Sequence, residues 1–241
     1  MSKELLLEDV DVDGAIREMA HEANESMGEG DTRRGMMMKA GLGAGALMSG
    51  GALMSLLAPD LAVAAGKGRP PASFGKGDVG ILNYALTLEY LEAAFYNGAT
   101  AANNKKSFIK DARTQAFLKA TTRDENAHVR ALKKALGSKA IAKPKFNFKG
   151  TNQSRKKFID TAFALENEGV HAYAGQAFNI KDPKVLGAAL SIITIEARHA
   201  SVIGVIRNPN PAGISPDGPF DTPFTAQRVL KDVTKLGFIV G

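Results

Sequence analysis

The sequence predicts an all-α protein: a four-helix bundle with a long crossover between its second and third helices, followed by a Pro-rich C-terminal tail. Three observations carry this reading. Four long segments between residues 78 and 207 are built from helix-forming residues and bounded by start and stop signals. The middle connection, residues 138–153, is long enough to run the length of a bundle, while the outer two are short. A Glu-x-x-His spacing in the second segment recurs in the fourth, in a chain with only four histidines.

Composition narrows the chemistry. At 241 residues and 44% apolar, the chain can bury a full core in one or two domains. The absence of Cys excludes disulfides, thiolate metal sites and cysteine nucleophiles, leaving oxygen and imidazole as the reactive groups.

Residues 1–31 carry ten acidic side chains against Lys3 and Arg17 and have too few large apolar residues for a core, so they read as a mobile leader. "TRRGMMMK", residues 32–39, resembles a twin-arginine export signal. Residues 40–58 are apolar but rich in Gly and small residues, which suits a signal h-region better than a membrane anchor. "PDLAVAAG" then offers cleavage after Ala64 or Ala65, so the signal segment is 32–65 and a Gly/Pro-rich linker fills 66–77. The expected partner is the twin-arginine export machinery. The expected location is periplasmic or extracellular, with membrane tethering if the signal stays uncut.

Without its acidic leader the chain is more basic than the whole-chain net charge of +6. That surface would suit an acidic envelope polymer or lipid headgroups, although a solvated face is the favoured reading. No nucleic-acid module is recognisable, so no nucleic-acid partner is expected.

The bundle spans 78–207. Asp78 is expected to cap a first helix that Gly98 ends near Asn97, with Ile81, Leu82, Ala85, Leu88, Leu91 and Phe95 on its apolar stripe. A second helix runs from about Asp111 to Leu136 and stops at Gly137. A third extends from near Ser154 to near Phe178. The fourth opens on Asp182 as N-cap with Pro183 in its first turn and ends near Arg207. The tail, 208–241, is too Pro-rich for regular structure except for a short helix around residues 225–233.

Residues three apart on a helix project from one face one turn apart, so Glu125 pairs with His128 and Glu196 with His199. A carboxylate and an imidazole so placed can hold a divalent metal ion, and two such helices can hold a pair. A paired site needs more negative charge than two carboxylates supply, which points to an inward Glu on each remaining helix. "LEYLEAAFY" from Leu88 and "LENEGVHAY" from Leu165 align Glu89 with Glu166 and Tyr96 with Tyr173. The chain thus reads as two copies of one helical hairpin.

Glu92 lies one turn from Glu89 and is an alternative or additional ligand, but its repeat partner is Gly169. A third Glu-x-x-His pair, Glu168 and His171, is rotated by about 200° from Glu166 and is expected to be solvated. Tyr96 and Tyr173 read equally as core residues or as hydrogen-bond donors to ligand carboxylates across the bundle. Asp124 is expected to orient an imidazole from a neighbouring helix, a role with no counterpart in the second copy, where Ile195 stands.

The order Glu, Glu-x-x-His, Glu, Glu-x-x-His over four helices resembles the ferritin-like di-metal carboxylate proteins. "ALTLEYLEAAFY" with "IEARHA" is similar to the exported bacterial ferritin-like domain family. The resemblance covers about residues 76–207. It implies a ferritin-like bundle whose metal ligands are Glu89, Glu125, His128, Glu166, Glu196 and His199. The pair of histidines is more like the symmetric di-iron or di-manganese members than like storage ferritins.

Two divalent ions would cancel four carboxylate charges, with iron expected first and manganese next, and with zinc or cobalt also able to bind. The expected function is a di-metal oxidoreductase of ferroxidase or peroxide-reducing type, using dioxygen or peroxide. The alternative is a non-catalytic metal-binding protein with a structural or stress-protective role. A homodimer is the assembly left open.

Overall fold

The computed structural model describes residues 68–210 and 213–240. The leader, the signal segment and the first two linker residues lie outside the described residues. Among those described, the chain forms five α-helices: α1 (Gly77–Lys106), α2 (Ala112–Leu136), α3 (Arg155–Ala177), α4 (Pro183–Arg207) and α5 (Ala226–Leu236). The first four make the bundle, and packing is heaviest within the α1–α2 and α3–α4 hairpins.

α1 is buried almost all round from Gly80 to Tyr96, which makes it the central helix and explains why its apolar residues show no narrow stripe. Two sequence expectations for it are corrected. Asp78 is not the cap: Lys76 holds that position without a side-chain bond. The Asp78 carboxylate instead accepts from the backbone N–H of Lys181 at 3.1 Å and of Asp182 at 2.8 Å, tying the start of α1 to the start of α4.

Nor does Gly98 end the helix, which continues to Lys106. A Cβ at Gly98 would collide with the Asn152 side-chain amide, so this glycine marks the close approach of the crossover. The helix stops instead at Ser107, which adopts the left-handed region (φ 46°) while its N–H bonds back to Asn103.

The other termini follow local chemistry. The Asp111 carboxylate accepts from Thr114 N–H at 2.9 Å and opens α2, which Gly137 closes at φ 55°. Asp182 accepts from Lys184 N–H at 2.8 Å and opens α4, with Pro183 as its first residue. α4 is long and apolar enough to cross a membrane by composition, yet its Glu196 and His199 are buried inside the bundle. Thr225 caps α5 by accepting from Arg228 N–H.

Aromatic packing locks one end of the core. The Phe95 and Phe158 rings stack at 5.6 Å, and Phe148 of the crossover meets Phe95 at 5.4 Å and Phe238 of the C-terminal segment at 5.3 Å. The crossover pairs with that segment through an antiparallel bridge, Phe146 to Ile239.

The tail lies on the outer side of α3. Phe224 N–H donates to the His171 carbonyl at 3.1 Å, and a Cβ at Gly175 would strike the Phe224 backbone, so the tail touches the helix directly.

Candidate metal centre

Each bundle helix delivers side chains to one point: Glu89 from α1, Glu125 and His128 from α2, Glu166 from α3, and Glu196 and His199 from α4. The four glutamates are 0–1% exposed and the two histidines 7–8%. Donor atoms of Glu89, Glu125, His128 and Glu196 lie within 4.8 Å of one another, and so do those of Glu125, Glu166, Glu196 and His199. Glu125 and Glu196 belong to both groups. The six side chains therefore outline two adjoining positions, each with its own imidazole and carboxylate and two carboxylates in common.

The distances describe a donor set rather than a hydrogen-bond network. His128 Nδ1 faces Glu89 Oε2 at 3.2 Å, Glu125 Oε2 at 3.2 Å and Glu196 Oε1 at 3.1 Å. A ring nitrogen carries one proton at most, so it cannot satisfy three carboxylates. His199 Nδ1 lies 3.1 Å from Glu125 Oε1 and 3.3 Å from Glu166 Oε2.

Several buried atoms here have no hydrogen-bond partner: Glu125 Oε1, Glu166 Oε2, both oxygens of Glu196 and His199 Nδ1. Orphaned buried acceptors are rare and costly, and cations would satisfy them. With the histidines neutral the six side chains carry four negative charges, which two divalent ions cancel. Four carboxylates and two imidazoles fit such a pair in charge, number and ligand type.

The metal-free electrostatics point the same way. Burial, together with the Glu89 charge, pushes the Glu125 carboxyl up to about 7 despite the two imidazoles beside it. Burial also raises Glu196, with the Glu125 and Glu89 charges adding to it. For the histidines, burial opposes the charged form, but the carboxylates that crowd each ring outweigh it. His199 rises to about 11 and His128 is raised further. Without a metal, burial and mutual repulsion favour protons at Glu125, Glu196 and the two histidines in place of cations.

The surrounding groups orient the donors. The Tyr173 hydroxyl donates to Glu89 Oε1 at 2.6 Å, and the Tyr96 hydroxyl donates to Glu166 Oε1. Each tyrosine reaches from its own hairpin to the lone Glu of the other. His199 Nε2 lies 3.2 Å from Asp124 Oδ2, and Asp124 is fixed by two bonds from Arg123 at 2.7 and 3.0 Å. An Nε2–H donated there leaves the Nδ1 lone pair facing Glu125 and Glu166.

Glu92 is buried beside this centre but belongs to neither donor group. Its Oε1 has no hydrogen-bond partner, and burial, followed by the Glu196, Glu125, Glu166 and Glu89 charges, raises its pKa. It leans into the space left by Gly169. A Cβ at Gly169 would lie 3.1 Å from Glu196 Oε2 and 3.6 Å from Glu92 Oε1.

The third Glu-x-x-His pair corrects the sequence reading: it is not solvated. His171 is 7% exposed, with Nδ1 at 2.7 Å from the Thr222 carbonyl oxygen, Nε2 at 3.4 Å from Asp217, and its ring stacked on Phe224. Glu168 faces α5, and burial, with Asp232 adding to it, pushes its carboxyl up to about 7. The side of α3 facing away from the metal centre is covered by the tail and α5, which helical rotation alone does not reveal. Arg123 was also missed as an anchor, although its place beside Asp124 was the available signal.

A family model for the ferritin-like domain matches residues 77–208, more than half of the chain, and the chain belongs to that family. None of the curated proteins matches it. The matched region coincides with α1 to α4 and contains all six converging side chains.

Proposed function

We propose that the protein is a di-iron or di-manganese oxidoreductase of the cell envelope that oxidises ferrous iron or reduces peroxide. One observation carries this reading: two groups of buried donors share Glu125 and Glu196, so two cations held there would be neighbours. Two adjacent redox-active ions would supply a two-electron exchange with dioxygen or peroxide.

The chain's own residues do the rest. Glu89 with His128 and Glu166 with His199 would each hold one ion, and Glu125 and Glu196 would be common to both. Tyr173 and Tyr96 hold one oxygen of each unshared carboxylate, leaving the other free to face the cation. Asp124 presents the His199 Nδ1 lone pair. Near-complete burial of the carboxylates keeps bulk water away and strengthens every charge interaction inside. Export by the twin-arginine route fits this reading, since that route carries folded proteins with metal already inserted.

The same burial favours a second reading, in which the metal serves stability alone. Two measurements on the full chain purified from its host separate them. The oxidoreductase reading expects two equivalents of iron or manganese per chain, with turnover of ferrous iron or peroxide. Two bound ions without turnover, but with a lower melting temperature after metal removal, would establish the structural role. Metal-free protein whose melting temperature does not respond to added iron or manganese would overturn both.

A further inference from the structure

Residues 66–241 carry 26 Lys and Arg against 14 Asp and Glu, and five of those acids are buried at or beside the metal centre. The outer surface is therefore far more basic than the sequence total implies. Its charge is also concentrated. From Asn126 to Ile159 the chain has no acidic residue and ten cations, all exposed. Only Arg155 and Lys156 of these have an acidic partner among the described residues.

The crossover shapes part of this run into an edge. In "KPKFNFK", residues 143–149, Lys143, Lys145, Asn147 and Lys149 are exposed, while Pro144, Phe146 and Phe148 are partly buried. Phe146 and Phe148 pack on the core, and the crossover is bonded to the C-terminal segment by Asn147 N–H to the Phe238 carbonyl and Val240 N–H to the Lys145 carbonyl. Lys143 and Lys145 thus project from a pinned, extended backbone about 6.6 Å apart, and Lys149 follows at the turn, in the left-handed region (φ 52°). Two exposed apolar side chains stand across from this segment, Val240 (46%) opposite Lys145 and Ile239 (38%) opposite Phe146.

We propose that this edge seats the protein on an anionic lipid bilayer, with the lysines among the headgroups and Ile239 and Val240 entering the acyl boundary. Lysines near an anionic leaflet gain from its surface potential, and apolar side chains gain only where there is hydrocarbon to enter. A soluble polyanion would use the lysines but not the apolar pair. A single-stranded nucleic acid would need exposed aromatic rings, and the phenylalanines here turn inward.

The test is co-sedimentation of the full chain with vesicles of phosphatidylglycerol and phosphatidylcholine in equal parts, compared with pure phosphatidylcholine. The apolar stretch at residues 40–58 can add binding to both vesicles, so the readout is the anionic-over-neutral preference. The expected preference weakens with salt and falls roughly 25-fold in Lys143→Gln/Lys145→Gln, at about fivefold per lysine.

Ile239→Ser/Val240→Ser lowers the anionic-over-neutral preference severalfold while leaving binding of long-chain polyphosphate unchanged. Both variants alter exposed side chains outside the metal centre, so metal content and melting temperature stay at the unsubstituted level. A lysine variant that keeps the full preference overturns the proposal. So does an apolar variant whose anionic-over-neutral preference is undiminished, which would assign the edge to a soluble polyanion.

Discussion

The two helical hairpins deliver equivalent side chains to the candidate metal centre but surround them differently. From α1–α2 come Glu89, Glu125, His128 and Tyr96, and from α3–α4 come Glu166, Glu196, His199 and Tyr173. The tyrosines reciprocate, each bonding the lone Glu of the opposite hairpin. Around this symmetric core two pairs of positions diverge. Asp124 backs His199, whereas its counterpart Ile195 offers no hydrogen bond to His128. Glu92 fills space against Gly169, its counterpart in the other copy. The donors are duplicated and their supports are not, so two chemically similar positions are expected to behave unequally.

The largest effect falls on what the hairpins share. On the proposed assignment Glu125 and Glu196 serve both ions, so Glu125→Ala or Glu196→Ala should cut metal content from two equivalents per chain to nearly none. Glu89→Ala or Glu166→Ala should leave one ion better retained than the other. Metal analysis after desalting reads both outcomes, and equal losses from all four variants would break the distinction between shared and unshared carboxylates.

The next effect concerns what neutralises the cluster when metal is removed. Glu125 is held near 7 by burial and the Glu89 charge, above its ordinary value of 4.5. A carboxyl raised on folding contributes stability below its unfolded value and loses it as pH climbs through the folded one. His199, raised from 6.5 to about 11 by carboxylate partners that overcome burial, likewise loses its contribution as pH rises through that span. The signs agree, so metal-free protein should melt at a lower temperature at about pH 8 than at about pH 5. Metal-loaded protein should show a flatter profile, because cations replace the protons. A metal-free profile that rises with pH would contradict the buried charge arrangement.

A smaller effect separates the two half-sites. Asp124→Asn replaces the carboxylate behind His199, and loss of such a partner typically weakens metal binding tenfold to a hundredfold. The expected result is a two-step isotherm with cobalt, in which only the step from the His199 half moves. Both steps moving equally would mean that Asp124 supports the bundle and not one imidazole.

The features legible in the sequence are those that repeat or that local chemistry dictates. Asp111, Gly137, Asp182 and Pro183 placed the ends of α2 and the start of α4 because capping is settled within a few residues. The six donors stood out because their spacing occurs twice. Gly98 and Asp78 misled for one reason: each serves a distant segment, the crossover at Asn152 and the start of α4, and local rules cannot see such partners. His171 and Glu168 were misplaced in the same way, since the far face of α3 is covered by the tail, whose path a Pro-rich sequence does not encode locally.

The smallest effect tests whether Gly169 is glycine for a reason. Inside a helix, Gly→Ala ordinarily gains about 0.5–1 kcal/mol from backbone entropy. Here the new Cβ would sit 3.1 Å from Glu196 Oε2, tighter than ordinary contact, and Glu196 is fully buried with little room to retreat. Overpacking of that kind costs about 1–3 kcal/mol, so Gly169→Ala should be slightly destabilising on balance. The Glu92 Oε1 lies 3.6 Å from the same Cβ, so removing the Glu92 side chain opens space beside this contact. In a Glu92→Ala background the carboxylate can shift, the entropy gain should prevail, and Gly169→Ala should raise the melting temperature. That change of sign is a coupling between the two positions, readable in a double-mutant cycle. If alanine at 169 stabilises both backgrounds alike, the glycine makes no room for Glu92, and the divergence of the hairpins at this pair has no consequence for packing.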